Sequence, residues 1–253
     1  TAVGHDALLS NVTGTNNVAV GAYSLDAANT DNNTAIGYQA MTNATASECV
    51  AVGSRALKAQ TSAARCTAVG SEAATAVTTA DDTTAIGRSA LAACTTGSDN
   101  TALGSKSLIA VTTGINNTAV GSNSLFTSTT NNNVTAIGYN AFKWSTGDGN
   151  TAVGSEALKG SGSGSGGTGG LNVAIGVDSM SSASGNAYRN TAVGQASLSS
   201  VSSGYQNVCV GRAAGDNLTT GARNVIVGAE AQSAASGTNY QTVIGYSLTG
   251  KGE

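Results

Sequence analysis

The apolar positions of this chain fall into one short pattern that keeps returning. A Thr or Val, a small residue, an aliphatic residue and a glycine follow one another, as in Val18-Ala19-Val20-Gly21, Thr34-Ala35-Ile36-Gly37 and Thr101-Ala102-Leu103-Gly104. Three residues beyond the glycine stands Ala or Ser in the first fourteen copies, and four beyond it mostly Leu, Met or Phe, as at Leu25, Met41, Leu125 and Phe142. Asn, Asp, Thr, Ser and Gly, the turn formers, fill the remainder. Alternation over three residues predicts a short strand with two distinct faces. The glycine predicts a bend, and the second apolar segment predicts a return before a polar turn.

With the glycine as marker, the copies lie at Gly4, Gly21, Gly37, Gly53, Gly70, Gly87, Gly104, Gly121, Gly138, Gly154, Gly176, Gly194, Gly211, Gly228 and Gly245. Fifteen copies are spaced 16 to 18 residues apart, except for one interval of 22 between Gly154 and Gly176. A unit of this length is too short for a helix pair or a propeller blade. It predicts one coil of an all-β, parallel β-solenoid (a β-roll or β-helix), each strand pairing with its copy in the next coil. Fifteen rungs at about 4.8 Å would extend about 70 Å. The marker glycine is expected at a corner, where positive φ and close approach between rungs exclude a side chain. The larger residues of the strand, such as Val20, Ile36, Val52 and Val69, are expected to face inward. A stripe of Ala and Ser would then run along the outside and suit close packing against a second chain. On that register the chain is a homotrimer, since repeat folds need stacked or lateral burial. Ala40→Trp would break assembly, and Ser163→Trp would not.

The long interval contains GSGSGSGGTGG, Gly160 to Gly170, which has the composition of a flexible linker. Phase argues for a turn instead: NTAVGSEAL runs up to it and NVAIGVDSM resumes just after it. Residues 1–253 are therefore expected to form a single continuous solenoid region, with 159–171 as an enlarged turn, because surface turns accept extra length cheaply. The chain opens on TAVG and stops at GKGE in mid-pattern, which reads as a fragment of a longer protein.

Composition fits thin layers better than one bulky core. Gly is 34 of 253 residues, aromatic residues are 4%, charged residues are 10%, and there is no proline. Yet 40% of the residues are hydrophobic, so the chain is not plainly disordered. The net charge of −3, with no recurring basic patch, argues against nucleic acid as a partner. No apolar run approaches the roughly 18 residues of a membrane span, so membrane insertion is not expected.

The repeat resembles two related groups. NVAVGAYSL (Asn17 to Leu25) and NVAIGVDSM (Asn172 to Met180) resemble the head repeats of trimeric autotransporter adhesins. NTAVGSEAL (Asn150 to Leu158) and NTALGSKSL (Asn100 to Leu108) are more similar to the fibre repeats of tailed bacteriophages, marine and cyanobacterial ones especially. The resemblance covers essentially the whole chain. It implies a homotrimeric fibre of left-handed parallel β-roll or β-helix type on a virion surface, joined to tail or capsid proteins and attaching to a host glycan or surface receptor. The alternative it implies is an adhesin head on a bacterial cell surface.

Candidate chemistry is sparse. His5, beside Asp6, is the one histidine and falls in a segment of variable polar residues, so an exposed side chain is expected. Glu72, Glu156, Asp178 and Glu230 all stand two after the marker glycine, in the slot that elsewhere holds Arg55, Lys106 and Asn123. That is a solvated ridge of mixed charge. The four cysteines lack zinc spacing. Cys49 and Cys66 share a slot in adjacent rungs, where parallel side-chain vectors disfavour a disulfide. Cys94 is expected in a turn, and Cys209, in place of the usual Ala, is expected to be buried. Asn17, Asn33, Asn100, Asn117, Asn150, Asn172, Asn190, Asn207 and Asn224 recur before the strand. They predict a hydrogen-bonded ladder or turn caps; an alternative is a line of ion- or water-holding groups on a trimer axis. No catalytic, cofactor-binding or metal-ligating residues are assigned, and no enzyme activity or cofactor is expected. An adhesive fibre is therefore the leading reading. An ice-binding solenoid ranks lower because Val18, Val50, Val173, Val208 and Val225 replace Thr and the alternate member is always aliphatic, so that the column is expected to face inward; a glycan-degrading fibre ranks lower because the acids do not pair.

Overall fold

A computed structural model describes residues 1–253 apart from 28, 163–168, 185 and 252–253. The chain is an all-β parallel solenoid, with no helix among the described residues. It divides into two compact units, Thr1–Asn131 and Asn132–Glu253. The first holds β1 (Ala2–Val3), β2 (Val18–Val20), β3 (Thr34–Ile36), β4 (Val50–Val52), β5 (Thr67–Val69), β6 (Thr84–Ile86), β7 (Thr101–Leu103) and β8 (Thr118–Val120). The second holds β9 (Thr135–Ile137), β10 (Thr151–Val153), β11 (Val173–Ile175), β12 (Thr191–Val193), β13 (Val208–Val210), β14 (Val225–Val227) and β15 (Thr242–Ile244). Within each unit consecutive strands pair in parallel with equivalent residues stacked, for example Ala35 on Ala51 and Ala51 on Ala68, or Ala174 on Ala192.

The marker glycine does both things expected of it. Gly53 has φ +137°, and a Cβ placed on it would lie 2.5 Å from the carbonyl oxygen of Gly70 in the next rung. After the glycine the chain makes a four-residue turn, in which the Ser24 N–H donates to the Gly21 carbonyl at 3.3 Å. Each rung then does something the sequence pattern did not announce. Three non-glycine slots, represented in one rung by Asn16 (φ 58°), Tyr23 (φ 58°) and Leu25 (φ 50°), adopt the left-handed region. For a leucine this costs roughly 1–2 kcal/mol. Full burial of Leu25 returns about 1.5–3 kcal/mol, and its N–H is satisfied by the Ala40 carbonyl of the next rung at 2.9 Å.

The strand register is the reverse of the expected one. The central Ala of each strand points into the solenoid: Ala19, Ala35, Ala51, Ala68 and their counterparts are completely buried. The flanking residues point out, leaving Ile36 40% exposed and Val20, Val52 and Val69 half-buried. The Ala or Ser after the glycine is interior too, as at Ser24, Ala40 and Ala56. Ala40 therefore does not belong to an outer contact stripe, and adding bulk there would strike the core of the chain itself. Ser163 lies outside the described residues.

The reason is the width of the coil. Rungs this short leave room only for a methyl group opposite the leucine four residues past the glycine. Three rungs of the second unit demonstrate it. Where the strand centre grows to Cys209, Ile226 and Val243, the leucine slot becomes Gly215, Gln232 and Thr249. A Cβ on Gly215 would lie 2.6 Å from Cys209 Sγ and 3.3 Å from Ile226 Cδ1. The two slots share one volume, as close-packed interiors require.

The asparagines before the strand are buried and form a ladder inside each unit. The N–H of Asn117 donates to Asn100 Oδ1 at 3.0 Å, while Asn100 Nδ2 donates to the carbonyls of Gly97 (2.8 Å) and Gly114 (2.7 Å). The same step recurs from Asn172 to Asn150, Asn190 to Asn172, Asn207 to Asn190 and Asn224 to Asn207. Because these amides are used within the chain, they do not line an axis between chains.

Candidate functional site

With the small residues turned inward, the strands present two outward columns. The first carries Thr or Val: Val18, Thr34, Val50, Thr67, Thr84, Thr101 and Thr118 in the first unit, and Thr135, Thr151, Val173, Thr191, Val208, Val225 and Thr242 in the second. The second column is wholly aliphatic, and its members include Ile86, Leu103, Ile137 and Ile175. Leu103 is 44% exposed, and Val50 and Val208 are each 37% exposed. Parallel pairing spaces the columns at about 4.8 Å per rung. Each unit thus carries a regular, uncharged face of β-branched and aliphatic side chains. Sequence reasoning assigned these residues to the core. The signal that would have reversed the assignment was the paired change at the Cys209/Gly215 and Ile226/Gln232 rungs.

The slot two residues after the glycine is left-handed throughout and is half-buried or exposed except at Ser89 and Asn140, which are buried. Its acids meet neighbouring cations. Glu72 is 3.6 Å from Arg55, Glu156 is 2.8 Å from Lys159, and Glu230 pairs with Arg212. The Lys159 ammonium holds the Glu156 carboxyl below its ordinary range. That shift is opposite to the one a general acid needs. Asp178 lies in the next rung, half-buried. His5 is exposed, 3.0 Å from the Asp6 carboxylate and edge-on to Tyr23. Among the described residues no group of three or more His, Cys, Asp or Glu side chains converges.

All four cysteines are free and buried. Cys49 and Cys66 stand in the asparagine slot and act as its substitute. Cys49 Sγ accepts from the Cys66 N–H at 3.3 Å, and Cys66 Sγ accepts from the Thr83 hydroxyl at 3.2 Å. Cys94 lies just after a turn rather than in it and is fully buried, which pushes its thiol up to about 11. Burial pushes Cys209 up to about 12. Both are protonated near neutral pH and poor nucleophiles.

A second surface lies one corner before the strand. In the second unit Tyr188 and Tyr205 stack with ring centres 5.0 Å apart and planes 5° from parallel. The Arg223 guanidinium lies 5.4 Å from the Tyr205 ring and 5.3 Å from the Tyr240 ring, with Nη1 donating to the Tyr240 hydroxyl. Arg189 lies 5.9 Å from the Tyr188 ring. None of these residues was singled out from the sequence, where they look like scattered turn residues.

In the enlarged turn, residues 163–168 lie outside the described residues. The strands before and after the turn pair directly, Thr151 on Val173 and Val153 on Ile175. A hollow of about 370 Å³ beside it is lined by Trp144, Glu156, Lys159 and Ser161 among others.

No family model, curated protein or solved structure matches this chain.

Proposed function

We propose that the chain is a structural and adhesive fibre segment, a homotrimer that projects from a virion and attaches it to a host surface. The observation that carries this reading is the outward aliphatic column repeated in every rung. Half-exposed Val, Ile and Leu in unbroken series would each contribute about 0.5–1 kcal/mol if covered, and an uncovered face of this regularity is an association surface. Parallel copies of the chain offer the same face with the same rung spacing, so a closed symmetric assembly covers it. Three copies is the state implied by the resemblance of the NTAVGSEAL-type repeat to phage fibres.

Sedimentation equilibrium tests this directly. The expected mass is three times 24.5 kDa. Val69→Lys combined with Val52→Lys is expected to give a folded monomer with unchanged far-UV circular dichroism. A wild-type monomer, or a double variant that stays trimeric, would overturn the reading.

One observation favours a second reading. The Thr column faces outward, which removes one ground on which an ice-binding face ranked low, although Val18, Val50, Val173, Val208 and Val225 still interrupt it. Thr67, Thr84, Thr101 and Thr118 form an unbroken run on successive rungs. Thermal hysteresis by the wild type, lost in Thr84→Tyr with Thr101→Tyr, would establish that reading. A trimer without hysteresis would remove it.

A further inference from the structure

The column of tyrosine and arginine in the second unit is not needed to cover the core or to close the ladder. Four successive rungs contribute to it through the two residues that precede the buried ladder position: Tyr188 and Arg189, Tyr205 and Gln206, Arg223, and Tyr240. The stacking order is Tyr188, Tyr205, Arg223, Tyr240, with Arg189 at the outer edge of Tyr188. Arg223 is fixed at both sides, since Nε donates to Gln206 Oε1 at 3.1 Å and Nη1 to the Tyr240 hydroxyl.

Unpaired charge held against aromatic rings sets this column apart. Arg55, Arg65 and Arg212 each have a carboxylate partner. Arg88, Arg189 and Arg223 have none among the described residues, and of these three Arg189 and Arg223 lie against tyrosine rings. Neither of the two corner positions holds an Asp or Glu in any of the four rungs from Tyr188 to Tyr240. A chain with net charge −3 therefore carries a strip with two unneutralised guanidinium groups. Both are exposed and braced by aromatic rings, so little side-chain entropy remains to be lost on binding.

We propose that this column binds an acidic polysaccharide whose negative charges are uronic acid carboxylates. Arg189 and Arg223 stand two rungs apart, about 10 Å along the ladder and close to the length of two sugar rings. A planar guanidinium pairs with a carboxylate through two parallel N–H donors. The tyrosine hydroxyls and the Gln206 amide border the strip and supply partners for sugar hydroxyls. The proposal rests on the attachment reading and deepens it by naming the ligand chemistry and the residues.

The test is titration calorimetry of the full chain with polygalacturonate, dextran sulfate, poly-L-glutamate and neutral dextran, with sedimentation of the same samples. Polygalacturonate is expected to bind, more weakly as salt rises, and neutral dextran is not. Arg189→Ala with Arg223→Ala is expected to weaken binding by about tenfold or more, because two charge-assisted contacts are lost. Arg65→Ala in the first unit is expected to leave binding unchanged. Arg189→Ala alone, at the outer edge of the stack, serves if the double variant does not fold, and it is expected to weaken binding in the same direction. Four results would overturn the proposal: no binding of polygalacturonate, equal binding by folded arginine variants, equal affinity for dextran sulfate, or equal affinity for poly-L-glutamate, the last pointing to an acidic polypeptide. A trimer that does not bind polygalacturonate sinks the site and leaves the fibre reading standing. A monomer that binds it does the reverse.

Discussion

The corner before the strand has one backbone and two chemistries. In the first unit it carries Asp31, Glu48, Asp81, Asp82 and Asp99, with Arg65 as the one base. In the second, from residue 188 onward, it carries Tyr188, Arg189, Tyr205, Arg223 and Tyr240. The conformation is the same in both: φ is 53° at Asp82, 60° at Asp99, 55° at Arg189 and 59° at Arg223. In the first unit three of these acids, Asp31, Asp81 and Asp82, are held by neighbours. Asp31 accepts from the Thr15 N–H and hydroxyl, and Asp82 accepts from Arg65 through both oxygens at 2.7 and 2.9 Å. In the second unit the cations stack on rings and keep their charge unpaired. The difference teaches that the solenoid fixes the corner's backbone from inside, through the buried residue that follows it, and leaves the outward side chains free to specialise. Asp and Asn accept the left-handed conformation with least cost. Arg189, Arg223 and Tyr240 adopt it without that advantage, as Glu48 and Arg65 do in the first unit.

The strongest way to break the comparison is to attack what the units share. Gly53→Ala and Gly211→Ala place a Cβ about 2.5 Å from backbone of the next rung at φ near +137°. Each is expected to cost more than about 3 kcal/mol, similarly in the two units, as a fall in the urea midpoint. A large effect in one unit with a negligible one in the other would mean that the rungs are not equivalent.

A smaller effect separates the units at their cores. Gly215→Leu restores the common residue but meets Cys209 and Ile226, and overpacking is expected to cost about 1–3 kcal/mol. Adding Cys209→Ala and Ile226→Ala should recover most of the loss. Thermal melts that show no recovery would count against the inward register of the strand centre.

The smallest effect belongs to the acidic corner. The hydrogen bonds from Arg65 hold the Asp82 carboxyl below its ordinary range. A group with a lowered folded pKa contributes stability above its unfolded pKa, near 4, and loses it as pH falls through the folded value. Asp82→Asn is therefore expected to lower the melting temperature slightly at pH 7 and not at pH 2, so that the two curves converge in acid. A constant offset across that range would assign the loss to something other than the ion pair. The Tyr–Arg column lacks carboxylates and has no such acid limb.

Much of this was legible in the sequence. Fifteen phased glycines required corners, and both their positive φ and their close contacts are present. The asparagine column announced a ladder, because one amide can accept from the rung on one side while donating to carbonyls around it. The Tyr–Arg column was not legible, since residues 17 or so apart become neighbours only when rungs stack. The left-handed leucines were not legible either. Their local cost argues against them, and it is offset only by burial that exists once the coil has closed.

By itself the sequence determined the period, the parallel stacking, the glycine corners and the polar ladder, because each follows from what a repeated residue must do at a repeated place. It also set out the two faces of every strand. Which face lies inside was decided only by the tertiary structure. Hydrophobicity favours burying Val20 and Ile36 over Ala19 and Ala35. The closed coil has room for one leucine and one methyl in each layer, so volume prevails over hydrophobicity and the larger residues are turned outward.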